Sequence, residues 1–171
     1  AKKIKILFSP LDWGLGHATR CIPLLKRLQK NGHEIIIASA GKPETLLRKE
    51  FPGIHFVELP GYNITYSKYK RFFPFKILWQ VPKIYSSVKK ENKILQKLID
   101  EYNIDLVISD NRFGLYSKKT PCIFITHQLY IKAPFKWIEK IIRWINYHYI
   151  NKFSECWVPD FEMPPNLSGQ L

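Results

Sequence analysis

Short continuous apolar runs alternate along this chain with longer stretches in which apolar residues recur every three or four positions. Residues 4–8 predict a buried strand, and residues 18–30 predict an amphipathic helix. The same pattern continues, with further strands predicted over 33–40, 54–59, 105–109, 122–126 and 156–158, and helices over 42–51, 74–102 and 134–152. Pro82 predicts a kink or a break within the third helical stretch.

Strands that are apolar throughout are typical of a parallel sheet covered by helices on both faces. The chain is therefore predicted to be an α/β protein, a Rossmann-like, doubly wound parallel sheet of about six strands. Ligands bind beyond the carboxyl ends of the strands in such folds. Polar residues and glycines follow three of these strand ends; the candidate site residues are Asp12, Gly14, Gly16, His17, Arg20, Asp110, Asn111, Arg112, Gly114, His127 and Gln128.

The turn Gly14-Leu15-Gly16-His17 joins the first strand to the first helix. Glycines allow a sharp turn and a close ligand, and the helix N-terminus suits a phosphate or a sugar oxyanion. A dinucleotide site would require a third glycine at position 19, where Thr19 stands, and an acidic residue after the second strand. No acidic residue ends that strand, and Lys42 there offers only a positive charge for an NADP phosphate. A phosphate-binding P-loop is excluded because no Gly-Lys-Ser/Thr follows the glycines.

Three segments are similar to the first βαβ unit of GT-B glycosyltransferases: Gly14–His17, Pro23-Leu24-Leu25 and Gly32-His33-Glu34-Ile35. The resemblance is strongest to the branch that contains the lipid-linked N-acetylglucosaminyltransferase of peptidoglycan synthesis. Thr120–Gln128 resembles the segment that follows the fifth strand in that family. Asp110–Gly114 stands at the position of the family's second glycine-rich loop.

Two departures from this family concern the acceptor. Asp12-Trp13 precedes the glycines where the family has more glycine, and Asp110-Asn111-Arg112 replaces small residues with a charged group. These differences predict an acceptor other than the peptidoglycan lipid intermediate.

The resemblance implies the N-terminal half of a two-domain glycosyltransferase, in the hexosyltransferase class. Residues 1–160 would bind a lipid-linked or cell-envelope glycan acceptor, and residues 161–171 would begin a linker. The nucleotide-sugar donor would bind mainly to a C-terminal domain outside this chain, so this part alone is expected to be inactive. Neither a metal nor a cofactor is expected. The alternatives are a nucleotide-sugar epimerase of the same architecture and a non-catalytic membrane-docking subunit of a split glycosyltransferase.

His17 is the first candidate for the general base, because the helix N-terminus favours the neutral imidazole that can accept a proton. Its alternative role is to orient a phosphate or to cap the helix. Asp110 is the second candidate base. Asp12 is expected to accept a hydrogen bond from an acceptor hydroxyl or to cap a turn.

The remaining candidates are assigned to substrate binding. Gly14 and Gly16 would let the donor diphosphate or the acceptor approach the backbone, and Arg20 would pair with a phosphate or lie salt-bridged at the surface. The group Asn111, Arg112 and Gly114 would recognise the acceptor or form a simple turn. His127 and Gln128 would contact the acceptor or the interdomain cleft, the alternative being a structural role.

The net charge of +13, with 15% aromatic residues, indicates an anionic partner or a solvated lysine-rich surface. Basic and aromatic residues mix over 71–79 and 132–149, which suits interfacial helices on an anionic membrane, although such faces also pack on a sheet. No segment matches a nucleic-acid-binding module. Three widely spaced cysteines predict reduced, mostly buried thiols. The expected location is cytoplasmic, peripheral on the inner face of the cytoplasmic membrane.

Overall fold

The computed structural model describes residues 2–61, 73–127, 129 and 135–159, with the backbone alone for 73–81. The predicted linker, the segment 62–72 and Gln128 lie outside these described residues. Ten elements follow in order: β1 Lys5–Pro10, α1 Leu15–Lys30, β2 Glu34–Ser39, α2 Gly41–Glu50, β3 His55–Glu58, α3 Phe73–Tyr102, β4 Leu106–Asp110, β5 Cys122–Ile125, α4 Lys136–Ile150 and β6 Glu155–Trp157.

Every predicted strand and helix has its counterpart within a few residues. Helix α3 continues through Pro82 as one helix, so the predicted break is absent.

The six strands form one parallel sheet in the order β3-β2-β1-β4-β5-β6, which confirms the predicted doubly wound fold. The strand order reverses between β1 and β4, whose ends are in register with Pro10 beside Asp110. In this class of sheet, the loops after two such strands run to opposite sides, and ligands bind at that point.

Each face of the sheet carries its own apolar core. Helices α1 and α2 cover one face, where Leu25 and Leu47 pack on Ile6, Phe8 and the strand residues that share their side. Helix α3 covers the other face together with the end of α4, and there the core includes Leu7, Leu95, Val107, Phe124 and Ile150. Because both sides of each central strand are buried, apolar residues fill consecutive positions instead of alternating ones.

All three cysteines are free thiols, as expected from their spacing. Cys21 and Cys122 are buried, and burial raises the pKa of the Cys122 thiol to about 11. Cys156 is exposed because it lies in β6, a short strand that, among the described residues, pairs with β5 alone at the edge of the sheet. Two of the three thiols are buried, which agrees with the prediction of mostly buried thiols, and Cys156 is the exception.

Candidate active site at the junction of two strands

The turn between β1 and α1 depends on Gly14. This residue has φ +82°, in the left-handed region that favours glycine, and its N–H donates to the carbonyl oxygen of Asp12 at 3.0 Å. Helix α1 begins directly after it, so His17 lies in the first turn of the helix. A Cβ built on Gly14 or Gly16 would meet no atom within 4 Å, which leaves open space beside the turn.

His17 lies against Asp110 from the neighbouring strand. Asp110 ends β4 on the same side as Ile108, the side that α1 covers, and its side chain is completely buried. The Nδ1 atom of His17 is 2.9 Å from Oδ2 of Asp110, and 16% of the His17 side chain is exposed. The two candidate bases named from the sequence are therefore partners in one pair.

Arg20, in the next turn of α1, also contacts Asp110. Its Nη2 forms an ion pair with Oδ1 of Asp110, and its Nε donates to Oδ2 at 3.3 Å. Arg20 is therefore salt-bridged inside the site instead of at the surface, and its pairing with a phosphate stays a prediction. The thiol of Cys21 also donates to Oδ2 at 3.6 Å. These donors compensate the cost of burying the Asp110 carboxylate.

His127 approaches the same guanidinium from the end of β5. Nη1 of Arg20 lies 2.6 Å from Nδ1 of His127, and the rings of His17 and His127 have their centroids 6.3 Å apart. Burial lowers the pKa of His127, and the positive charge of Arg20 lowers it further, against the opposing effect of Asp110. These effects together favour the neutral imidazole of His127.

Asp12 borders a cleft on the other side of the Gly14 turn. The cleft has a volume of about 220 Å³ and is lined by Asp12, Gly14, Ala40, Gly41, Lys42, Pro43 and Gly61. Within the described residues, Oδ1 of Asp12 is buried without a hydrogen-bond partner. Gly61 makes this position possible, because a Cβ there would lie 1.6 Å from Oδ2 of Asp12. An oxygen that lacks a donor at the rim of a cleft is suited to a ligand hydroxyl.

The loop after β4 differs from its predicted role. Arg112 is completely buried, with Nε donating to Oε1 of Glu91 at 2.5 Å and Nη2 donating to the Pro60 carbonyl at 2.7 Å. Gly114 donates its N–H to the other oxygen of Glu91 at 2.8 Å, and a Cβ there would lie 2.6 Å from the Val88 carbonyl oxygen. Both residues fasten the loop to α3. Their burial contradicts the predicted contact with the acceptor.

Asn111 remains at the strand end and is half-buried. It has φ +57°, and its N–H donates to the Ile125 carbonyl at 3.0 Å, which ties the loop to β5. Its side chain stays a candidate for substrate contact, as do those of Asp12, His17 and His127.

Sequence reasoning missed three features of the site: the link from Arg20 to His127, the thiol of Cys21 and the anchor Glu91. The spacing of His17 and Arg20 was a usable signal, because residues three apart share one face of a helix. Glu91 gave no comparable signal, since its partner Arg112 lies 21 positions away in another element.

Two further properties concern the described residues only. In that part of the chain, no group of three or more His, Cys, Asp or Glu side chains is arranged to hold a metal ion. None of the described helices has the length and apolar character needed to cross a membrane.

Comparison with known proteins then identifies the family. The model of glycosyl transferase family 1 matches residues 4–135. The chain belongs to this family. Two proteins described as uncharacterized glycosyltransferases, from Methanosarcina acetivorans and Methanosarcina mazei, are each 27% identical to it. The matches cover 96% of this chain but only 44% and 46% of those proteins, so the chain spans about half the length of the curated relatives it matches.

Solved glycosyltransferases share the fold of this family 1 chain. The Streptomyces sp. SF2575 glycosyltransferase SsfS6 superposes with a TM-score of 0.57 at 15% identity, covering 86% of this chain and 44% of that one. SnogD from Streptomyces nogalater has a TM-score of 0.53, also at 15% identity, over 92% of this chain and 45% of SnogD. The fold is also similar to that of a putative UDP-N-acetylglucosamine 2-epimerase from Listeria monocytogenes. That match has a TM-score of 0.59 at 13% identity and covers 93% of this chain and 39% of the epimerase.

Proposed function

We propose that this family 1 chain is the acceptor-binding part of a glycosyltransferase that moves a sugar from a nucleotide-sugar donor to a hydroxyl group. The observation that carries the proposal is the His17–Asp110 pair, which lies where the strand order reverses between β1 and β4. An imidazole backed by a buried carboxylate is suited to take a proton from a hydroxyl during its attack on an electrophile.

The reaction would proceed with His17 as the base. Its Nε2 removes the proton of the acceptor hydroxyl while that oxygen attacks the anomeric carbon of the donor sugar. The bond from this carbon to the nucleotide diphosphate breaks, and its electron pair leaves with the phosphate oxygen. Asp110 accepts the Nδ1–H and stabilises the imidazolium that forms.

Asp110 is less suited than His17 to act as the base itself. Its side chain has no exposed surface, and both carboxylate oxygens already accept from Arg20. An acceptor hydroxyl therefore reaches His17 first. Asp110 acts through His17 as a positioning residue.

The cleft beside Asp12 supports acceptor binding next to this base. Oδ1 of Asp12 accepts a second hydroxyl of the acceptor, and the open space over Gly14 and Gly16 admits the substrates to the turn. Lys42 on the cleft rim adds a positive charge for an anionic group. The donor nucleotide would bind mainly to the part of the relatives that this chain does not span.

The acceptor is proposed to be a lipid-linked or cell-envelope glycan, reached at an anionic membrane surface. Helix α4 supports this part of the proposal because one of its faces, here called the α4 outer face, is exposed. It comprises Trp137, Lys140, Ile141, Trp144 and Tyr147. Trp144 is 69% exposed, and Arg143 adds a second positive charge beside it. Aromatic rings next to lysine and arginine are suited to the headgroup region of anionic lipids.

The proposal is tested by incubating the full-length gene product with a panel of nucleotide sugars and of envelope lipid acceptors. Formation of a glycosylated lipid, with release of the nucleoside diphosphate, supports the glycosyltransferase. Conversion of the nucleotide sugar without any acceptor would instead establish the epimerase, which the fold similarity to the Listeria protein favours as second candidate. A protein that binds lipid but consumes no donor would be a docking subunit.

A further inference from the structure

The guanidinium of Arg20 lies between two histidines. Nη1 is 2.6 Å from Nδ1 of His127, and Nη2 is 2.8 Å from Nδ1 of His17. Both imidazoles therefore present the same ring nitrogen to one cation. Their surroundings nevertheless differ, because only His17 also contacts the carboxylate of Asp110.

This difference decides which nitrogen carries the proton in each ring. A guanidinium has only donors, so its hydrogen bond to His127 requires a bare lone pair on Nδ1 and places the proton of the neutral ring on Nε2. At His17, Nδ1 is 2.9 Å from Oδ2 of Asp110, and two lone pairs at that distance would repel. Nδ1 of His17 therefore carries its proton and donates it to Asp110, which leaves Nε2 bare.

Arg20 can accept this arrangement because one N–H of each of its three nitrogens has another acceptor. Nη2 is paired with Oδ1 of Asp110, and Nη1 is satisfied by His127. The contact between Nη2 and Nδ1 of His17 is then a consequence of both groups converging on one carboxylate. A protonated His127 would carry an N–H on Nδ1, directed at the N–H of Nη1 of Arg20. The neutral form of His127 avoids this contact, and the lowered pKa of His127 agrees with it.

We propose that Arg20 and Asp110 hold His17 and His127 in opposite tautomers, so that His17 offers a bare Nε2 and His127 offers a fixed Nε2–H to an oxygen of the substrates. This inference rests on the proposed function, in which His17 is the base. His127 is then a substrate-binding donor, and the oxygen that it binds is a hydroxyl or phosphate oxygen. Arg20 is a positioning residue that acts through both rings.

The tautomers are measured by long-range ¹H–¹⁵N NMR spectra of the full-length gene product labelled with ¹⁵N-histidine, with signals assigned by single His→Gln variants. We expect His17 to show the Nδ1–H tautomer and His127 the Nε2–H tautomer at pH 7. Two histidines in the same tautomer, or a protonated His127, would overturn the proposal. The wild-type spectrum alone decides this point, whether or not the protein transfers a sugar.

The role of Arg20 is read from its variants. In Arg20→Met, the pKa of His127 should rise, because the nearby positive charge is lost, and its signals should show a mixture of tautomers. Arg20→Lys should restore the low pKa of His127 in part, since lysine keeps the positive charge but lacks the planar set of guanidinium N–H donors. Arg27→Met is the matched control, an exposed arginine on the same helix. Equal titration of His127 in all variants would overturn the role of Arg20.

The donor role of His127 is read from kinetics with the substrates that the wild type uses. His127→Gln keeps an N–H near the place of Nε2, whereas His127→Leu removes it. We expect the leucine variant to lose about tenfold or more in kcat/KM relative to the glutamine variant, the effect of one unmade hydrogen bond. A rise in the acceptor KM assigns the oxygen to the acceptor, and a rise in the donor KM assigns it to the nucleotide sugar.

Equal loss in the two variants would overturn the donor role of His127. Absence of any transfer by the wild type would instead overturn the proposed function, and with it the substrate contact of His127. The NMR spectra would still test the tautomers in that case, so failure of the tautomer proposal and failure of the proposed function are distinguishable.

Discussion

The imidazole of His17 and the carboxylate of Asp110 lie 2.9 Å apart although 93 positions separate them in the chain. Their contact follows from the sheet order, which places the end of β4 directly beside the end of β1. Helix α1 then turns His17 back over the buried carboxylate. The proposed chemistry depends on this one contact.

Replacing Asp110 by asparagine tests the contact without changing its size. The amide can donate to Nδ1 of His17 and so favour the wrong tautomer, and it loses the charge that stabilises the imidazolium. We expect kcat to fall by about 10²–10⁴-fold. Asp100→Asn, at an exposed residue paired with Lys119, is the control and should leave kcat unchanged. An Asp110→Asn variant as fast as that control would contradict the role of the pair.

The buried ion pair of Glu91 and Arg112 should contribute to stability and not to chemistry. Glu91→Gln leaves the Arg112 guanidinium without its counter-charge, and we expect it to reduce the free energy of unfolding by about 3–5 kcal/mol. The double variant Glu91→Met with Arg112→Leu should recover much of this loss, because neither charge of this pair then remains buried. Urea denaturation measures both, and a single variant as stable as the wild type would refute the structural role.

Two glycines near the site provide a matched comparison. Gly114→Ala would force a methyl group against Glu91 and the Val88 carbonyl, and we expect it to cost about 1–3 kcal/mol of stability. Gly16→Ala enters open space in the first turn of α1, so stability should hold or rise by about 0.5–1 kcal/mol. If substrates approach the backbone there, the KM of Gly16→Ala should rise. Thermal unfolding and kinetics separate these effects, and the opposite pattern would contradict both assignments.

The 171-residue chain by itself should not transfer sugar. The matched relatives are about twice its length, and the donor is proposed to bind mainly outside the matched part. We expect no turnover by the purified chain under conditions in which the full-length gene product is active. Measurable transfer by the chain alone would show that it binds the donor itself.

The α4 outer face should bind anionic vesicles. We expect cosedimentation of the full-length gene product with phosphatidylglycerol vesicles and little with phosphatidylcholine. Trp144→Ser should weaken this vesicle binding. Lys140→Gln and Arg143→Gln, as single variants, should each reduce the free energy of vesicle binding by about 1 kcal/mol. Trp157→Ser, at another exposed tryptophan, is the control. Equal binding by the Trp144 and Trp157 variants would exclude this face as the membrane contact.

The alternation of apolar runs was enough to predict all ten elements and the parallel sheet. The rule that ligands bind at strand ends also selected His17, Asp110 and His127, because that rule depends only on strand direction. The family identified is glycosyl transferase family 1, and the resemblance to the peptidoglycan branch stays a prediction.

The two arginines show where sequence reasoning ends. Arg112 follows the end of β4 and Arg20 lies in the second turn of α1, and substrate binding is one of the two predicted roles of each. Arg20 lies one helical turn from His17, so its place in the site follows from local geometry. Arg112 is buried because the register of α3 brings Glu91 beneath the β4 loop. That register is set by tertiary packing over a long helix, which a local pattern does not encode.

The central claim is most directly tested by the kcat of the full-length gene product with His17→Ala, measured against His55→Ala, an exposed histidine at the opposite end of the sheet. The account predicts a loss of about 10²-fold or more for His17→Ala, with acceptor binding retained, and wild-type activity for the control. Transfer that survives the loss of His17 would contradict the account.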